Sequence, residues 1–155
     1  MLSKEDRKLY NAQFWNEFKN FIQKFPSSEG KRIKWLSYPT HIKFVYLRLE
    51  ATNSYVAVNF DIQPTDEGIR QIFWAQLLEL KRVLTDAMQG DSGNWIENES
   101  STALPNFSRI QWKLENVNYF ELNDKPKIFA FYKSKLLAFD EFYNNFGEIL
   151  TLLAK

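Results

Sequence analysis

Apolar and polar residues alternate along Ile42–Gln63, IKFVYLRLEATNSYVAVNFDIQ, on both sides of a short break at Thr52-Asn53-Ser54. This is the pattern of a β-hairpin. With Ala51 opposite Ser54, Leu49 faces Val56, Leu47 faces Val58 and Val45 faces Phe60. All six point to one side, because side chains alternate along a strand. A slip of one residue would mix polar and apolar groups on both faces. The opposite face then carries Tyr46, Arg48, Glu50, Tyr55, Asn59 and Asp61.

Helical spacing brackets the hairpin. Phe14, Phe18, Phe21, Ile22 and Phe25 recur at threes and fours and predict a helix over residues 4–25. Ser3 is its expected N-cap, with Asp6 in the capping-box position. Pro26 stops it and residues 27–30 form a loop. Ile33 to Leu36 reads as a short strand, and Pro39 as a turn before the hairpin. Pro64-Thr65-Asp66-Glu67 signals a second helix. Ile69, Ile72, Phe73, Leu77, Leu80, Leu84 and Met88 line its apolar face, and it is expected to reach Gln89, before Gly90. Residues 91–107 are polar, with a brief strand at 94–96 and a loop at 97–105. Strands are expected over 110–118 and 119–122. Asn123-Asp124-Lys125-Pro126 opens a last helix that runs to the C-terminus. Its face includes Ile128, Phe131, Phe139, Phe142, Phe146, Ile149 and Leu153, widened by Tyr132, Leu136 and Tyr143.

The order is α-β-β(β)-α-β-β-α. It predicts a single α+β domain over residues 1–155, with an antiparallel or mixed sheet of about five strands and three long helices. The same order is compatible with a degenerate PD-(D/E)XK nuclease-like core.

Composition sharpens this picture in a few places. Aromatics make up 17% of the chain, so the core is expected to be built on large flat rings. The net charge is +1, which gives no global pull toward nucleic acid or anionic lipid. The chain has no cysteine, which excludes disulfides, thiolate nucleophiles and cysteine zinc sites. The charged start and the lack of any long apolar run point to a cytoplasmic protein with no membrane segment.

Candidate chemistry is sparse. Lys31, Arg32, Lys34, His41 and Lys43 make a basic stretch flanked by Trp35 and Tyr38. Cations beside exposed rings are what single-stranded nucleic acid binding requires. The alternative is a solvated loop whose tryptophan is buried. On the polar hairpin face, Tyr46, Arg48, Asn59 and Asp61 form a candidate ligand surface, or a structural hydrogen-bond network. A nuclease of PD-(D/E)XK type needs a lysine two positions after a strand acid, and Gln63 stands there after Asp61. His41 is the single histidine, and no nucleophile elbow or phosphate-cradling glycine loop accompanies it. No catalytic, metal or cofactor-binding residue is therefore assigned, and no cofactor is expected.

Four segments carry a resemblance to a known family. They are FWNEF at Phe14–Phe18, KWLSYPTHIKF at Lys34–Phe44, IRQIFWAQLLELK at Ile69–Lys81 and FYKSKLLAFDEFYNNF at Phe131–Phe146. In these the chain resembles the bacterial domain-of-unknown-function 4268 family over nearly its whole length. The motifs are aromatic and apolar, and the resemblance assigns no functional residues. It implies a bacterial protein associated with DNA transactions or defence systems, since similar domains often follow a nuclease-like domain. The resulting expectation is a non-enzymatic interaction module with a protein or nucleic-acid partner. A nucleic-acid-binding accessory domain, a metal-dependent hydrolase around Asp61 and a homo-oligomer are its alternatives.

Overall fold

The computed structural model describes residues 2–101 and 106–155. Its elements run α1 (Lys4–Ile22), β1 (Val45–Ala51), β2 (Tyr55–Ile62), α2 (Glu67–Glu79), α3 (Lys81–Ala87), β3 (Asn94–Glu99), β4 (Phe107–Glu115) and α4 (Lys125–Leu153). The fold is α+β, with one antiparallel sheet in the order β1-β2-β4-β3.

Among the described residues the sheet has four strands, where about five were expected. Residues expected to open a first strand instead enter a single 3₁₀ turn, Trp35–Ser37, because the Trp35 indole turns inward and bonds the Phe25 carbonyl. Tyr119 to Leu122 is no strand either. It leads into a 3₁₀ turn at Leu122–Asp124, held by the Asp124 carboxylate accepting from the Asn118 N–H. The loop expected at 97–105 lies partly outside the described residues, and β3 extends through Glu99.

The hairpin keeps its faces but shifts by two residues. Ala51 pairs with Val56, Leu49 with Val58, Leu47 with Phe60 and Val45 with Ile62. The Thr52 hydroxyl explains the shift. It accepts from the N–H groups of Ser54 and Tyr55 and donates to the Tyr55 carbonyl, so the turn closes on Thr52 and Tyr55.

The expected second helix is two helices, bent at Leu80, which keeps Leu77, Leu80, Leu84 and Met88 inward. Its N-cap is Asp66, which lies within the start signal expected at residues 64–67. Its buried face is rotated from the expected one: Arg70, Phe73, Trp74 and Leu77 face in, while Ile69 and Ile72 are exposed. Burial of Arg70 is possible because its guanidinium donates to the carbonyls of Pro64 and Thr65. Helix α1 carries the full Ser3–Asp6 capping box and ends at Ile22, three residues earlier than its apolar spacing suggests.

Helix α4 lies on the apolar face of the sheet. Phe139 meets Phe60 at 4.9 Å and Trp112 at 6.1 Å between ring centroids. Helix α1 packs on α4 through Phe14 and Phe18 against Phe129, and Trp74 of α2 meets Trp95 of β3 edge-on. The core is thus largely aromatic, as the composition implies. Among the described residues, no helix is long and apolar enough to cross a membrane.

Candidate functional site

The segment between α1 and β1 has two sides. Inward, Trp35 is 3% exposed and donates to the Phe25 carbonyl at 3.0 Å. The Tyr38 hydroxyl donates to Asp140 at 2.7 Å, and Thr40 bonds the carbonyls of Ile42 and Val45. The Tyr143 hydroxyl donates to the Thr40 carbonyl from α4. Asp140 is itself buried on α4 and also accepts from the Ser28 N–H. These contacts bolt the segment to α4. Burial, and the hydrogen bond to Asp140, raise the Tyr38 phenol far above its usual range. Burial does the same to Tyr143.

Outward, the segment presents Lys31, Arg32, Lys34, Leu36, His41 and Lys43. The cations of the basic stretch are therefore exposed, while Trp35 and Tyr38 offer no open ring faces. The side chains of this stretch do not all share one hollow. Lys31 and His41 border a cleft of about 320 Å³ that reaches Asp140 and Tyr143. Arg32 and Lys34 border a larger one of about 680 Å³, closed on the far side by Lys19 and Ile22 of α1. Lys43 lies over the Phe44 ring.

Leu36 lines the larger hollow and two more beside it. One is walled by Trp15, Arg48 and Leu49, the other by Tyr46, Leu47 and Arg48. Together they make a furrow from the end of α1 to the outer side of β1. Its charged lining residues, Lys19, Arg32, Lys34 and Arg48, are all cationic. Among the described residues, none of the four has a carboxylate within ion-pair distance. Glu17 of α1 is engaged with Lys125, and that bond at 2.7 Å holds the Glu17 carboxyl below the usual value.

The polar sheet face is arranged differently. Asp61 is 1% exposed and receives both arms of Arg109, at 2.6 and 3.0 Å. Burial works against the Arg109 charge, but Asp61 outweighs it and holds the guanidinium above its ordinary pKa. Glu50 accepts from Tyr55, Asn59 and Gln111, and Asn59 in turn accepts from Gln111. The bond to Glu50, and then burial, raise the Tyr55 phenol. Tyr46 is half-buried, with the exposed Arg48 guanidinium 3.9 Å from its ring centre. Of the four candidates on this face, Asn59 and Asp61 belong to the network, whereas Arg48 and Tyr46 sit where the face meets the furrow. Among the described residues, no group of three or more histidine, cysteine or acidic side chains is placed to hold a metal ion.

Several participants escape a linear reading. Lys19 and Leu36 enter the furrow only through the packing of α1 against the following segment. Arg109 and Gln111 join the network through the β2–β4 pairing. Asp140 leaves a trace, as an acid inside the apolar stripe of α4.

Fold and surfaces together define an α+β protein whose helices cover one face of an antiparallel sheet and whose cationic furrow borders the sheet edge. The family model described as Domain of unknown function (DUF4268) matches residues 10–146, from α1 through most of α4, and the chain belongs to that family. No curated protein and no solved structure matches it.

Proposed function

We propose that this chain is a non-enzymatic interaction module that holds an anionic partner in the furrow between α1 and β1. One observation carries the reading: Arg32, Lys34 and Arg48 stand without carboxylates around the exposed side chain of Leu36. Uncompensated cations beside exposed apolar surface favour an anionic partner with apolar contacts. The basic stretch named from the sequence contributes Arg32 and Lys34 to this site. Lys31 and Lys43, with His41 between them in sequence, continue the basic stretch outside the furrow and support a second reading, nucleic acid held through its phosphates. Hydrolysis around Asp61 has no comparable support, because both carboxylate oxygens bind Arg109.

The test is a ¹⁵N-labelled NMR titration with two anionic probes, polyglutamate and oligothymidylate, at low and physiological salt. Amide shifts are expected at Arg32, Lys34, Leu36 and Arg48, shrinking as salt rises. Shifts absent with both probes, or confined to the Asn59–Gln111 network, would overturn the reading.

A further inference from the structure

We infer that the furrow takes an extended acidic segment of a partner protein, which adds to the free edge of β1 and seats its aliphatic side chains around Leu36. This rests on the furrow being the binding surface, and it names the partner.

The backbone supplies the first argument. Among the described residues, β1 is an edge strand, paired only with β2. Hydrogen bonds alternate along an antiparallel pair, so every second residue points its N–H and C=O away from the partner. Thr52 N–H bonds the Tyr55 carbonyl and Gln63 N–H bonds the Phe44 carbonyl. These fix the even-numbered residues of β1 as the ones that face β2. Leu47 and Leu49 therefore direct their peptide groups to the outer edge. Among the described residues, no hydrogen bond outside the strand ladder reaches either of them. Both residues line the furrow. Val45, the next position of this set, has its carbonyl capped by Thr40, which marks where the free edge begins. Leu49 is partly exposed at this edge, while Leu47 is buried beside the Trp35–Ser37 turn. Unpaired peptide groups at a strand edge are a template for another strand.

Shape and charge supply the rest. Three hollows of about 680, 360 and 330 Å³ share Leu36 in their linings and run from α1 to β1, which suits a chain better than a compact small molecule. Arg32, Lys34 and Arg48 ask for acidic side chains, while Lys19 also faces the carbonyl end of α1. The apolar contacts select peptide over nucleic acid. Bases need open aromatic faces. Here the Trp35 ring is buried, the Trp15 ring stacks on Tyr132 and the Tyr46 ring is covered by Arg48, which leaves aliphatic Leu36 as the exposed contact.

The experiment measures binding of the full chain to a fluorescent peptide of alternating glutamate and leucine, about ten residues long. Polyglutamate, a glutamine–leucine version of the peptide and oligothymidylate serve as comparison probes. The glutamate–leucine peptide is expected to bind most tightly. R32E/K34E and Leu36→Asp should each weaken it by about tenfold or more, and K127E on α4 should leave it unchanged. Hydrogen exchange at the Leu47 and Leu49 amides should slow when the peptide is bound. Two results would overturn the inference while leaving the furrow a binding site: oligothymidylate binding in an R32E/K34E-sensitive way with no peptide binding, or peptide binding with the Leu47 and Leu49 amides still unprotected. No binding of any anionic probe would overturn the furrow reading itself.

Discussion

The polar face of the sheet and the furrow beside it both carry cations, and only the first has matched them. On the face, Arg109 grips Asp61 with two hydrogen bonds, and Glu50 collects donors from Tyr55, Asn59 and Gln111. In the furrow, Arg32, Lys34 and Arg48 have no carboxylate partner among the described residues, and Leu36 is 37% exposed between them. A buried polar group must be satisfied within the protein, because water cannot reach it. An exposed cation is satisfied by water and stays available to a partner. The two regions differ in that respect, and the contrast separates architecture from binding capacity.

The comparison breaks most visibly at Asp61. Asp61→Ala leaves the Arg109 guanidinium, 19% exposed, without its counter-charge. Removing one partner of a buried pair is expected to lower unfolding stability by about 3 kcal/mol. The double variant D61L/R109M should recover most of that loss, since replacing both partners removes the unpaired charge. Urea unfolding of the three chains checks this. A loss below about 0.5 kcal/mol for Asp61→Ala would mean the network is dispensable and the contrast with the furrow is false.

Next in size is the latch between the basic segment and α4. Asp140→Ala removes the acceptor of Tyr38 and of the Ser28 N–H, for an expected loss of about 2 kcal/mol. Exchange of the Ser28 amide should quicken more than that of sheet amides. The same region should respond to alkali. Tyr38 and Tyr143 have folded-state pKa values raised above the unfolded value. A raised pKa means that the native state holds its protons longer, so the stabilisation is complete below the unfolded phenol value of about 10 and is lost as pH rises beyond it. Denaturant midpoints measured upward from neutrality should therefore hold and then fall steeply. Y38F should flatten that fall, and a midpoint indifferent to alkali would show that these phenols are not held back by the fold.

The sequence foretold the hairpin faces because a period of two survives a two-residue shift in register. It also foretold the cap at Ser3 and a helix start within residues 64–67, where the Asp66 side chain makes the cap. It misread the strand count. Ile33-Lys34-Trp35-Leu36 resembles a strand locally, and only the distant Phe25 carbonyl turns the Trp35 indole inward. It misjudged the buried face of α2, because a charged Arg70 looks like a solvent residue until the carbonyls of Pro64 and Thr65 converge on it. In the candidate site, Arg32 and Lys34 were legible as charge. Their hollow was not, because Lys19, Leu36 and Arg48 come from three elements that meet only in the folded chain.

The smallest expected effect is the most demanding test of the contrast. R32E/K34E reverses two charges on a segment that is fixed by other groups: the buried Trp35 ring, the Tyr38–Asp140 bond and the Thr40 and Tyr143 contacts. Neither cation contributes to that anchoring, so Tm should move by no more than about 2 °C. Asp61→Ala and Asp140→Ala should each lower it by clearly more. Thermal denaturation followed by circular dichroism orders the three variants. If R32E/K34E fell as far as Asp140→Ala, the furrow cations would be structural, and their freedom from carboxylates would no longer point to a partner. If Tm held while affinity for the glutamate–leucine peptide fell, charge at the furrow would be separable from the stability of the fold.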